Sequence, residues 1–151
     1  MSDLRVLVPG KSFDLEPREM EAARNTLAEA LRAALPSHDW LVTDAVIAAG
    51  EVLQNIVRHE TPGPSGLRVT MSVSIDEADG RLMIDMRDTA APLLSLAFLH
   101  QRHEAGVHGG MGIELVRSVS ETYRIAPLSD GNLHQMVLLT RPNRASGHSF
   151  S

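Results

Sequence analysis

Glu51, Asn55 and His59 are the residues of this sequence whose types and spacing are best suited to chemistry. They follow one another at intervals of four, so in a helix their side chains lie along one line. A carboxylate and a carboxamide one turn apart can share a single ligand. Taken alone, the strip also fits the solvated face of a core-packed helix, because short motif matches are often coincidental.

Two features of the glycines help to decide whether this strip binds a ligand or is a solvated face. Gly50 precedes Glu51, and an interior glycine costs a helix roughly 1 kcal/mol relative to alanine, so we expect a ligand or a neighbouring strand to approach closely there. The run Gly109-Gly110-Met111-Gly112 leads into Ile113, which begins the buried side of a predicted third helix. Free N–H groups, the helix dipole and missing side chains favour a phosphate at such a point, and the run therefore predicts an anion cradle.

Three histidines, His100, His103 and His108, offer another chemistry. Imidazoles at short spacings can bind zinc. Only Glu104 adds a carboxylate nearby, and loop histidines are more often solvated, so zinc is the weaker interpretation.

Helical spacing of apolar residues predicts the elements that carry these groups. The first helix runs from Pro17 until Pro36 ends it. A second helix of about 20 residues contains Glu51, with Ser37 and Asp39 as candidate N-caps. Its buried face consists of Val42, Ala45, Ala49, Val52 and Ile56.

Alternation of apolar and polar residues predicts strands on either side of a long loop. The residues from Leu67 to Asp76 form one strand, Asp79-Gly80 supplies a turn, and the returning strand ends at Asp88. A loop from Thr89 to His108 follows, in which Leu93 to Leu99 could be helical. The chain closes with a hairpin of Tyr123 to Ala126 and Leu133 to Thr140, and it opens with Leu4 to Val8 and Phe13 to Leu15, which predict either a hairpin or one strand interrupted at Pro9-Gly10.

Composition limits the classes of function. The 151 residues, 43% of them apolar, suit one domain over residues 1–142 with a polar tail at 143–151. The net charge of -5 without a Lys/Arg cluster predicts neither a nucleic-acid nor a membrane partner. The absence of cysteine excludes thiol chemistry and disulfides. No signal peptide or apolar run of about 20 residues is recognised, and we expect a cytoplasmic protein.

In this order, the Glu-x-x-x-Asn-x-x-x-His helix, the hairpin ending in Asp88, the long loop and the glycine run opening a helix resemble the Bergerat-fold ATPases. That superfamily includes gyrase B, histidine kinases and mismatch-repair ATPases. The short single-domain form with GGMGIELVRSVSETY most resembles the anti-sigma-factor serine kinases. The resemblance implies an α/β (α+β) two-layer sandwich, in which a mixed, mostly antiparallel sheet is covered on one face by three helices.

The resemblance also implies roles for individual residues. Glu51 matches the general base of the kinase members, Asn55 the Mg²⁺ ligand, and Asp88 the acceptor of a hydrogen bond from the adenine amino group. Gly110 and Gly112, within the cradle that also holds Gly109 and Met111, match the glycines whose backbone lies against the phosphates of ATP. The loop from Thr89 to His108 matches the lid over the nucleotide, and His59 matches a structural histidine at the helix end.

Two positions depart from the family pattern. A glycine usually stands two residues after the aspartate, where this chain has Ala90, and a positive φ there would cost alanine on the order of 1 kcal/mol. Many relatives have a threonine where this chain has Asn132.

From the resemblance we expect an ATP- and Mg²⁺-dependent serine kinase and anti-sigma factor. The two departures favour the alternative, a non-catalytic module that binds nucleotide weakly or not at all. Expected partners are a sigma factor, an antagonist protein and a second copy of the chain, with Arg24 either a contact to them or simply solvated.

Overall fold

The structure, a computed structural model, describes residues 4–59, 62, 66–93 and 108–141, and the side chains of residues 59 and 108–113 fall outside that description. The elements, in chain order, are β1 (Leu4–Asp14), α1 (Pro17–Ala34), α2 (Asp39–His59), β2 (Arg68–Asp76), β3 (Arg81–Asp88), α3 (His108–Val119), β4 (Thr122–Leu128) and β5 (Gly131–Leu139). The predicted order of helices and strands is confirmed.

The described strands form one five-stranded sheet in the order β1-β2-β3-β5-β4. Every pairing between them is antiparallel. Alternate residues of β2 and β3 are buried on one face, as the alternation predicted. Together with the buried faces of the helices, this confirms the two-layer α/β sandwich, and the sheet is antiparallel throughout the described strands rather than mixed. Strands β3 and β5 are neighbours in the sheet although α3 and β4 lie between them in sequence.

Helix α2 lies at the centre of the core. Its buried residues are Leu41, Val42, Ala45, Ala48, Ala49, Val52, Leu53 and Ile56. It packs against both α1 and α3. By length and hydropathy, Asp39–Arg58 would suffice to cross a membrane, which the sequence analysis did not recognise, but 44% of the most apolar window is buried inside this fold. Burial against the sheet accounts for its apolar composition.

The N-terminal segment is one strand and not a hairpin. β1 pairs with β2 along its length, and the register shifts between Val6 and Val8 and again between Val8 and Lys11. Gly10 has a φ of 118°, a conformation that favours glycine. The interrupted strand is therefore the correct alternative.

Several predicted boundaries move. Helix α3 begins at His108, so the glycine run lies inside its first turns and does not precede it. At the start of α2 the carbonyl of His38 accepts hydrogen bonds from the N–H groups of Leu41 and Val42. Ser37 Oγ instead lies 3.4 Å from His38 Nδ1, which leaves its predicted capping role unsupported. The closing hairpin is longer at its turn than predicted, because strand pairing continues to Leu128 and Gly131.

Candidate functional site

The candidate site has two parts, and the first is centred on Asp88 at the end of β3. Asp88 is only 1% exposed. Its Oδ1 accepts hydrogen bonds from the backbone N–H of Ala90 at 3.0 Å, from that of Asn132 at 3.1 Å, and from Asn132 Nδ2 at 3.2 Å. Its Oδ2 lies 2.6 Å from His134 Nε2. Both oxygens of this buried carboxylate are therefore held by neighbouring groups.

Sheet register explains why these groups meet. Asp88 on β3 lies directly opposite Asn132 on β5, and Met86 lies opposite His134. Directly opposed residues point to the same face, so Asn132 and His134 project into the core beside Asp88. Gly131 permits the close approach of the two strands, because a Cβ atom there would lie 1.8 Å from the carbonyl oxygen of Asp88. Glycine is required at this position for steric reasons.

His134 connects Asp88 to Tyr123 on the neighbouring edge strand. His134 is 2% exposed, and its Nδ1 lies 3.0 Å from Tyr123 Oη. The two rings are stacked, with centroids 6.3 Å apart and planes inclined by 15°. A neutral imidazole with its proton on Nε2 satisfies both contacts, since it donates to the carboxylate and accepts from the phenol.

Asn132 binds the segment that follows Asp88 through two hydrogen bonds. Asn132 Nδ2 donates to the carbonyl oxygen of Ala91 at 3.1 Å, and Asn132 Oδ1 accepts from the N–H of Leu93 at 2.8 Å. None of the described residues other than glycine has a positive φ, so Ala90 is free of the strain that its place in the motif suggested. Asn132 stands where the sequence analysis expected a threonine, and its side-chain amide binds the first residues of the predicted lid.

The second part of the site is on α2. Asn55 Nδ2 donates to the backbone carbonyl of Glu51 at 3.0 Å, and both residues are half-buried. The contact involves only the backbone of Glu51, and it is the spacing of four residues within α2 that puts the two side chains along one line of the helix. Within the described residues no hydrogen bond or ion pair engages the Glu51 carboxylate or Asn55 Oδ1. Among the described residues, these two oxygen-bearing groups are therefore available to a ligand or to solvent.

Arg24 of α1 is what approaches Gly50. A Cβ atom on Gly50 would lie 3.2 Å from Arg24 Cδ and 3.8 Å from Arg24 Nη1. The expectation of a ligand or strand at Gly50 is therefore wrong, and the glycine serves the packing of α1 on α2. The arginine is half-buried, which corrects the interpretation of a merely solvated side chain.

The glycine run lies on a helix that packs against α2. The first N–H groups of a helix have no intrahelical acceptor. Because α3 begins at His108, Gly109 and Gly110 have amides of this kind, whereas Met111 and Gly112 lie far enough along to bond within the helix. The amide-lined part of the cradle is thus shorter than predicted.

Some predictions fall outside the described residues. These are the lid over 94–107 with His100 and His103, the tail over 143–151, and the side chains of His59 and His108. Among the described residues no group of three or more histidine, aspartate or glutamate side chains could hold a metal. The zinc hypothesis therefore stays a prediction.

The sequence analysis missed His134 and Tyr123. A signal was present, because Asn132 and His134 alternate in phase with Met136 and Leu138, which are buried on the same face of β5. Polar residues at core positions of a strand require partners. Asp88, which ends the hairpin of β2 and β3, was the acidic residue that could serve as their partner.

The family of this chain follows from a comparison of its sequence with known families. Residues 13–138 match the family described as histidine kinase-like ATPase domain. The chain belongs to that family. No curated protein shows significant sequence similarity to it.

A solved structure supports the same fold. The histidine kinase domain of the blue-light activated histidine kinase from Erythrobacter litoralis EL346 superposes on this protein with a TM-score of 0.53 at 12% sequence identity. The match covers 80% of this chain and 61% of that domain. At that identity the likeness concerns the fold.

Proposed function

We propose that this protein is an ATP- and Mg²⁺-dependent serine protein kinase that also acts as an anti-sigma factor, exchanging between a sigma factor and an antagonist protein. The observation that carries the proposal is the placement of Glu51 and Asn55 one turn apart on α2, where neither the Glu51 carboxylate nor Asn55 Oδ1 is bonded to a described residue. Membership in the ATPase family supports nucleotide as the ligand.

The groups of this site suit a magnesium nucleotide. Mg²⁺ prefers oxygen ligands, and Asn55 Oδ1 is of that kind, with no acceptor role toward the described residues. When bound, Mg²⁺ would neutralise charge on the phosphate oxygens. The amides of Gly109 and Gly110 at the start of α3 would bind phosphate through the positive end of the helix dipole.

The chain's own part in transfer is mainly positioning. The Glu51 carboxylate would orient the serine hydroxyl of the acceptor protein and take its proton as the bond from the serine oxygen to the γ-phosphorus forms and the bond from that phosphorus to ADP breaks, with ADP as the leaving group. An ordinary carboxylate is a weak base toward a hydroxyl, so the proton would move late in the reaction. Asp88 would accept a hydrogen bond from the amino group of adenine, which fixes the nucleotide at its other end.

The experiment is transfer of labelled phosphate from ATP to purified candidate antagonist proteins in the presence of Mg²⁺. We expect a phosphoserine in the antagonist. The variant Glu51→Gln should retain nucleotide and lose about 10²-fold or more in transfer rate. Glu29→Gln, an exposed glutamate on α1, is the matched control and should change nothing. Absence of transfer with nucleotide demonstrably bound would exclude the kinase.

A second candidate function has its own observation. Asp88 is 1% exposed, so a base can reach the carboxylate only if surrounding residues move, and Asn132 restrains the neighbouring segment by its bonds to Ala91 and Leu93. Such a domain could sequester a partner while binding nucleotide weakly or not at all. Calorimetry separates the two candidates, since tight partner binding without measurable ATP binding favours the non-catalytic module.

A further inference from the structure

The buried pair of His134 and Asp88 is not used by the transfer chemistry. Their side chains are 2% and 0% exposed and 2.6 Å apart. Burying such a pair costs desolvation, and well-packed apolar residues at such places are often as stable or more so. Met136 and Leu138 occupy the following core positions of the same strand. Stability alone therefore does not account for a histidine at position 134.

The geometry indicates a positioning role. Ala90 and Asn132 hold Oδ1 of Asp88, and His134 holds Oδ2, so the plane of the carboxylate is fixed from both sides. His134 is itself held at its other nitrogen, because Tyr123 Oη lies 3.0 Å from Nδ1. The imidazole thus fixes the second oxygen of the carboxylate.

We propose that His134, secured by Tyr123, is a positioning residue for base recognition, which holds the Asp88 carboxylate in the orientation that accepts a 6-amino group and rejects a 6-oxo group on a purine. The inference rests on the proposed binding of nucleotide. An ionised carboxylate accepts hydrogen bonds only, so it attracts an amino group and repels a carbonyl oxygen. Fixing the acceptor before binding removes the cost of ordering it.

The experiment measures the dissociation constants of ADP and inosine diphosphate, with Mg²⁺, by calorimetry. The ratio of the two constants is the decisive quantity, because a purely structural change weakens both ligands together. We expect the wild-type protein to prefer ADP. His134→Leu removes the donor and should reduce the preference about tenfold or more.

Two further variants keep the test decisive. His134→Gln retains an N–H donor for Asp88 and should restore the preference to within about threefold of wild type. If His134→Leu fails to fold, the proposal is tested by His134→Gln and by Tyr123→Phe, which removes the hydroxyl and should reduce the preference by a smaller factor. Met136→Leu, in phase on β5 and buried, controls for repacking and should leave the ratio unchanged.

The outcomes are distinguishable. A preference for ADP that survives unchanged in folded His134→Leu would overturn this inference and leave the proposed function intact. A gain of ADP affinity in that variant would also overturn it, because His134 would then block the carboxylate. If His134→Leu does not fold, an unchanged preference in Tyr123→Phe overturns the inference. Wild-type protein that binds neither nucleotide would overturn the proposed function and this inference together.

Discussion

The two parts of the candidate site are built on opposite principles. Around Asp88, on the central strands, the donors and acceptors are buried and already joined to one another. On α2, Glu51 and Asn55 are half-buried, and neither the Glu51 carboxylate nor Asn55 Oδ1 has a partner among the described residues. The first part is held together by its own hydrogen bonds, whereas the second has oxygens available to a ligand or to solvent.

Mutations in the two parts should therefore differ in their effect on the free energy of unfolding. A buried polar group that loses its partner is destabilising, because its desolvation is no longer compensated. A half-buried group that has no partner within the protein can be removed with little effect on the free energy of unfolding. We therefore expect changes near Asp88 to affect both stability and binding, and changes on α2 to affect binding and transfer alone. The predictions below test that division.

The largest effect is expected from Asp88→Asn. The variant keeps the shape of the side chain but replaces one acceptor oxygen with a donor that faces His134 or Asn132. Hydrogen bonds to a charged group contribute about 1.5–3 kcal/mol each, and more than one bond to the buried carboxylate would be lost, so we expect a cost of about 4 kcal/mol. Urea unfolding measures it. Asp79→Asn, in the exposed turn between β2 and β3, should change stability by less than about 0.5 kcal/mol. Equal effects of the two variants would contradict the division.

Gly131→Ala should cost about 3 kcal/mol, since the new methyl group would lie 1.8 Å from the Asp88 carbonyl oxygen and force β3 and β5 apart. Gly66→Ala is the comparison. Gly66 has a φ of 84°, but no atom of the described residues lies within 4 Å of an added Cβ, so we expect only backbone strain of about 1 kcal/mol. Thermal unfolding of both variants would show whether the steric clash with Asp88 costs more stability than backbone strain alone. A cost for Gly131→Ala no larger than that for Gly66→Ala would be evidence against it.

Asn55→Ala should weaken Mg²⁺-dependent ATP binding about tenfold, or roughly 1.4 kcal/mol. Its stability should remain within about 0.5 kcal/mol of wild type, because the lost contact to Glu51 is offset by the better helix propensity of alanine. Calorimetry with and without Mg²⁺ measures the first effect. Binding that is unchanged, or a large loss of stability, would place Asn55 in the fold and not in the site.

The smallest effect concerns Asp85, which lies on the uncovered face of β3 opposite Gln135. Burial raises the pKa of Asp85, and a hydrogen bond from Gln135 opposes that shift. The folded protein then holds the proton more tightly than the unfolded chain, so ionised Asp85 lowers stability above the raised pKa. Asp85→Asn should stabilise the protein at pH 7 by no more than about 0.5 kcal/mol, because Asp85 is only half-buried and solvent screens it.

The sign of that effect can be checked against Glu121. A hydrogen bond from Arg81 lowers the pKa of the Glu121 carboxyl, so its contribution is present above the unfolded value and is lost as pH falls through the lowered one. Urea unfolding from pH 7 downward should therefore show the advantage of Asp85→Asn shrinking, while the small disadvantage of Glu121→Gln shrinks as well. A growing advantage for Asp85→Asn at acid pH would show the assignment to be wrong.

The sequence predicted what depends on periodicity. The alternation through Met71 and Ile84 and the helical spacing through Val52 identified the buried faces, and the positions of Glu51, Asn55 and Asp88 followed from motif order. Long-range pairing could not be predicted in the same way. Register between β3 and β5 brings Asp88 to Asn132 across 44 residues, and no local pattern specifies it.

Local geometry accounts for the remaining differences. The sequence could not show that Gly50 accommodates Arg24 from another helix, or that the chain at Ala90 avoids a positive φ. Both depend on how neighbouring segments pack. His134 is the instructive case, because its place in the alternation of β5 was visible and its partner was not.

Calorimetric titration of the wild-type protein with ATP and Mg²⁺ tests the central claim most directly, namely that the part around Asp88 and the part on α2 hold one nucleotide between them. We predict saturable binding of one ATP per chain, weakened when Mg²⁺ is chelated and abolished in folded Asp88→Asn under conditions that keep that variant native. Absence of saturable ATP binding to folded wild-type protein, or binding that Asp88→Asn leaves unchanged, would contradict the account.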